Sequence, residues 1–157
     1  MRQESWKIMT KYTVLILSIS VFLANGCASL NVLYGEVIEA RQKGNAGISN
    51  VYPVTASEAW KITEAVFRWE KTDEVLEHRS ENYVLTSTGM KMVAFGSVIG
   101  VWMEPVNSGN TKVTVITKRR VQNDRFTQLT ETAFHEEFAK GVRIIRNGEQ
   151  LPAISPP

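Results

Sequence analysis

Residues 55–70 read TASEAWKITEAVFRWE. Thr55 followed three places on by Glu58 is a capping box: the hydroxyl takes a free first-turn amide, and the carboxylate reaches back to the threonine amide. Behind it Ala59, Ile62, Val66 and Trp69 recur at steps of three and four, and Trp60 and Phe67 widen the stripe. That spacing predicts a helix from about Ala56 to Glu70 with one buried face. The aromatics read as core packing rather than as a ligand box, since such stripes are how a surface helix is held.

Working outward, Val51-Tyr52-Pro53-Val54 reads as a short first strand at an edge, because Pro53 has no amide to give a ladder. Residues 72–78 and 83–88 read as strands flanking a hairpin loop at Arg79-Ser80-Glu81-Asn82. Met90 to Val106 is apolar with Gly96 and Gly100 inside it: one long bent strand, or two joined by a bulge at a glycine. The Gly96/Gly100 spacing matches a membrane-helix packing motif, but the run is too short and is closed by Glu104-Pro105. Asn107 to Asn110 is a turn. From Thr111 to Val121 the chain alternates, with Val113, Val115 and Thr117 on one side and Lys112, Thr114 and Lys118 on the other, predicting a half-buried strand with one solvated face. A last helix is expected from a cap at Asn123 or Asp124 to about Ile145, its inner face carrying Phe126, Leu129, Ala133, Phe134, Phe138, Val142 and Ile145. Asn147-Gly148 ends it, and Leu151 to Pro157 reads as a loose tail.

The order strand, helix, several strands, helix predicts an α+β domain over residues 51–146, a two-layer antiparallel sheet of four to five strands with two helices on one face. At 157 residues, 43% hydrophobic and 22% charged, the chain can build such a core without disulfides or metals. Three of the 18 basic residues and one of the 16 acidic residues precede Cys27, which leaves 15 of each beyond it. The formal charge of +2 therefore belongs to the leader. A balanced domain has no global field for nucleic acid, so no nucleic-acid partner is expected.

The leader is ordered as a signal peptide: a basic segment to Lys11, an apolar run from Tyr12 to Ala24, then Asn25-Gly26-Cys27-Ala28-Ser29. The apolar run falls short of the roughly 20 residues a spanning helix needs. Met9 offers an internal start that leaves a more compact signal. Leu23-Ala24-Asn25-Gly26-Cys27 resembles the lipobox of bacterial lipoproteins, although the usual leucine three places before the cysteine is Ala24 here, with Leu23 one place early. The resemblance covers the first thirty residues. It implies cleavage between Gly26 and Cys27, a diacylglyceryl group on the Cys27 thiol, and acylation of the new amino group. With Ala28 rather than Asp after the cysteine, it further implies the outer membrane, facing the periplasm, in a Gram-negative host. Two readings compete: cleavage at Ala24-Asn25-Gly26 to release a soluble secreted protein, and an uncleaved anchor. Residues 27–50 are then a lipid-attachment site and spacer, with a short helix at about Leu30–Lys43 and a flexible joint at Gly44-Asn45-Ala46-Gly47.

Little in the chain carries chemistry. His135-Glu136-Glu137 resembles the opening of a zinc-protease helix, but that motif needs a second histidine four places on, where Ala139 stands. His135 is expected on the surface of the last helix and His78 in a strand or hairpin. No nucleophile elbow or phosphate-binding glycine loop is present. A lone cysteine excludes an internal disulfide, and no cofactor or metal is implied. Lys118, Arg119, Arg120 and Arg125 form the one basic cluster, a contact for anionic headgroups, a cell-wall polymer or an acidic partner, set against a plain solvated strand end. The expectation is a non-enzymatic, lipid-anchored envelope protein that binds another envelope component or supports an assembly. A carrier of an apolar ligand, motivated by Phe95 and Trp102, is the first alternative; a soluble secreted protein or an enzyme with an unrecognised site is the second.

Overall fold

The capping box forms as its spacing requires: the Glu58 amide donates to Thr55 Oγ1 at 3.3 Å, and the Thr55 amide donates to Glu58 Oε2 at 2.8 Å. In this computed structural model, which describes residues 30–44, 46–89, 96–121 and 129–157, the helix so started is the second of three. The elements are α1 (Leu30–Gln42), β1 (Ile48–Tyr52), α2 (Ala56–Trp69), β2 (Val75–His78), β3 (Tyr83–Thr88), β4 (Ser97–Asn107), β5 (Asn110–Arg119) and α3 (Glu131–Arg146). The five strands make one antiparallel sheet in the order β1-β5-β4-β3-β2. The fold is α+β, with five strands and helices packed on them.

One face carries Ile99, Val101, Met103, Val113 and Val115, and on it lie Ala59, Ile62 and Val66 of α2 with Phe134 and Phe138 of α3. All are at or below 1% exposure, so each large side chain contributes on the order of 1.5–3 kcal/mol. Trp60 stays at the rim, roofed by the Arg79 guanidinium at 4.5 Å from its ring centre.

The opposite face is where the sequence reading falls short. Residues in register across all five strands form one row: His78, Tyr83, Trp102, Thr114 and Ser49. His78 stacks on Tyr83 at 4.3 Å, Tyr83 on Trp102 at 5.6 Å, and the Thr114 and Ser49 hydroxyls meet at 2.8 Å. Helix α1 covers the middle of this row with Leu33, Tyr34, Val37 and Ala40, while Arg41 sits over Trp102 and pairs with Glu104. The face expected to be solvated is therefore a second core, in which Thr114 and Ile116 are buried. The alternation misled because Lys112 and Lys118 stand towards the two ends of β5, where charge is tolerated, and the covered middle holds a threonine. The segment read as a spacer contributes a structural layer.

Boundaries move for identifiable reasons. The first strand begins at Ile48, and Gly47 before it lies so close to β5 that a Cβ there would sit 2.2 Å from the Val115 carbonyl oxygen. With a φ of +82°, Gly47 makes a fixed close-packed turn where a flexible joint was expected. Helix α3 begins at Glu131, after Thr130, whose extended backbone (φ −99°, ψ 172°) admits no helix through it and whose hydroxyl accepts the Ala133 amide. The caps expected at Asn123 or Asp124, and Phe126, lie outside the described residues; Leu129 is buried ahead of the helix. β4 is one strand from Ser97, with its register shift at Pro105/Asn107, and Met90 to Phe95, the first part of the apolar run, lie outside the described residues. The tail is docked: Trp69 Nε1 donates to the Pro152 carbonyl at 2.9 Å, Lys140 Nζ to that of Pro156 at 2.9 Å, and Ser155 to Glu137. A proline-bearing segment gives few donors, but its carbonyls accept what the two helices offer.

Gly100 is where the second core is tightest. A Cβ there would lie 2.6 Å from the Trp102 ring and 2.7 Å from Val37 Cγ1 of α1. Gly100→Ala should therefore cost about 1–3 kcal/mol, measured as a lower urea midpoint at unchanged slope. Gly109→Ala, whose Cβ would meet nothing within 4 Å, should change it by less than about 0.5 kcal/mol. Equal effects at the two positions would contradict the packing of α1 on Gly100.

Candidate functional site

β1 begins opposite Val115, so the last residues of β5 have no strand beside them on that edge. The first turn of α3 supplies a substitute: Glu131 Oε1 accepts the Thr117 amide at 2.8 Å. The shortfall leaves an open cleft of about 530 Å³, lined by Glu36 of α1, Thr117, Lys118, Arg119, Arg120 and Glu131. Three of the four residues of the sequence-defined basic cluster thus come together in one depression, and Arg125 lies outside the described residues. Thr117 Oγ1 and Arg120 Nε are shielded from solvent and have no hydrogen-bond partner among the described residues. Neither Lys118 nor Arg120 has a salt-bridge partner among them, whereas Arg41, Lys43, Arg79, Lys112 and Lys140 are each paired with a carboxylate. Such an arrangement can hold an anionic group.

Glu36 and Glu131 were not legible as part of the cluster. They reach it from helices on opposite faces of the sheet, and nothing local in the sequence marks that convergence. Cys27 and Gly26 lie outside the described residues.

Both histidines are engaged structurally. His78 ends β2 and stacks on Tyr83. His135, expected at the surface, is 6% exposed. Its Nε2 lies 3.1 Å from the Ile48 carbonyl oxygen, which can only accept, so Nε2 carries the proton. Nδ1 is then the acceptor for the Tyr52 hydroxyl at 2.9 Å, and the imidazole ties edge strand β1 to α3. Burial raises the pKa of Tyr52, which keeps its hydroxyl a donor. Burial also lowers the pKa of His135 below its ordinary 6.5, outweighing the opposing effects of the Ile48 carbonyl and Glu131. Among the described residues no three His, Cys, Asp or Glu side chains converge as a metal site requires, and no helix is long and apolar enough to cross a membrane.

Of the apolar run that motivates a carrier, Val98, Ile99, Val101 and Met103 have no exposure and Trp102 has 7%, while Met90 to Phe95 lie outside the described residues. Two further clefts, of about 390 and 330 Å³, are lined mainly by polar and charged side chains.

Neither a family model nor a curated protein sequence matches the chain. Among solved structures it is similar to the crystal structure of Ara h 8.0201, at 11% identity over 61% of this chain and 89% of that one, with a TM-score of 0.32. A likeness at that level carries no argument about ligand or activity.

The His135 arrangement sets a pH dependence. Below about 6.5 the unfolded chain takes up a proton that the folded imidazole refuses, so the stability from this group is present above that pH and is lost as pH falls towards the depressed folded value. The advantage of the parent chain over His135→Gln should shrink between pH 7.5 and 5.5, read from urea midpoints. A constant gap would contradict a neutral, buried His135.

Proposed function

We propose that this chain is a lipid-anchored envelope protein with a non-catalytic binding or structural role. The observation that carries the reading is the leader, a basic segment and an apolar run closing on Leu23-Ala24-Asn25-Gly26-Cys27. Two acyl chains hold a protein stably where one is marginal, at about 0.8 kcal/mol per buried methylene.

The fold supports a binding role over a catalytic one. Both ring nitrogens of His135 are spent on holding β1 to α3, and His78 is spent on an aromatic stack. The carrier reading draws no support from the packed surfaces around Trp102. Among the described residues Lys118, Arg119 and Arg120 line a cationic depression suited to an anionic partner.

The test is the intact mass of the protein purified from its host's membranes, beside a Cys27→Ser variant. The expected result is a chain beginning at Cys27 and carrying acyl mass, with the variant neither acylated nor held in the membrane. An unmodified chain cut after Gly26, an uncleaved chain, or turnover of an envelope substrate by the purified protein would contradict the proposal.

A further inference from the structure

We infer that the end of the sheet bearing Lys118, Arg119 and Arg120 rests on anionic lipid headgroups of the same bilayer that holds the acyl chains. This deepens the anchored reading and rests on it. Cys27 and Leu30, the first residue of α1, are three residues apart, a span of at most about 11 Å. Because α1 is packed onto the sheet, that short link fixes which end of the domain meets the membrane.

The direction of α1 identifies the end. Arg41, near its C-terminus, pairs with Glu104, and Val37, one turn earlier, meets Gly100. The helix therefore runs along β4, with its first turn towards Val98, the residue in register with Lys118. Glu36, at the middle of α1, lines the same cleft as Lys118, Arg119 and Arg120. The three cations and the lipid attachment point thus belong to one end of the molecule, while the Asn107–Asn110 turn is at the other.

Charge fits the occupant. The cleft holds three cations against Glu36 and Glu131, and Glu131 is engaged by the Thr117 amide. Basic groups held by an anchor near an anionic leaflet gain from its surface potential, and the gain falls off within a Debye length of about 8 Å at physiological salt. A cluster this small, in a domain whose charges balance, would not recruit the protein from solution. Held at the surface by acyl chains, it sets orientation.

The experiment uses the full acylated chain, with Cys27 acylation verified by intact mass in each preparation. It is reconstituted into vesicles of phosphatidylcholine alone or mixed with phosphatidylglycerol, and lysine acetylation is followed by mass spectrometry. Lys118 should be labelled severalfold more slowly on phosphatidylglycerol vesicles, with Lys61 and Lys112 unchanged. About 1 M salt, which shortens the Debye length to about 3 Å, should remove the difference. Arg120→Gln should weaken the protection at Lys118 while leaving the Lys61 rate at its parent value, which also reports that the fold is intact. Equal Lys118 labelling on both vesicles, with acylation verified, overturns this inference and leaves the anchor standing. A chain without acyl mass overturns both. Protection by an added acidic polymer but not by phosphatidylglycerol would reassign the cluster to a cell-wall partner and overturn the lipid contact.

Discussion

The structure depends on one strand being buried on both faces. From Ser97 to Met103 every residue of β4 is buried, Ile99, Val101 and Met103 under α2 and α3 and Val98 and Trp102 under α1. Such a strand cannot be stabilised by a single layer, because half its apolar side chains would face water at roughly 25 cal/mol per Å². The second layer is α1, and its fit rests on Gly100, where the absence of a side chain lets the Trp102 ring and Val37 close over the backbone. The stacked pair of Tyr83 and Trp102 is what α1 covers.

Much of this was legible in the sequence. The capping box placed α2 to within a residue, and the turn at Asn107 to Asn110 and the strand at 83–88 were read directly. The α+β class followed from element order, which is set by local patterns. What was not legible was the second core. Its residues are spread over α1 and four of the strands, β2 to β5, and its rim carries Lys112, Lys118 and Glu104, so each segment looks half solvated by itself. Periodicity reports whether a side is polar on average, not whether a distant helix lies upon it. His135 misled for the same reason: on its own helix it sits among glutamates, and only Tyr52 and Ile48, more than eighty residues earlier, account for its burial. The basic cluster was visible as a run, but the two glutamates that shape its cleft were not.

These errors bear on function because they concern the segment after the anchor. A long flexible spacer would let a domain reach partners away from the membrane and would leave its orientation free. A helix that starts three residues after Cys27 and forms part of the core does neither. On the anchored reading, the domain stands close to the bilayer with one end committed to it, and the Asn107–Asn110 end is presented outward. The tail is docked on α2 through Trp69 and on α3 through Lys140.

The central claim is that α1 is an integral layer of the domain rather than a tether, and native-state hydrogen exchange of the full chain tests it most directly. Amides of Val37 to Arg41 should be protected to the same degree as those of β4 and β5, because α1 cannot leave without uncovering Trp102, Ile116 and Val98. Exchange of those amides at rates typical of an exposed, fraying helix, with the strands still protected, would contradict it.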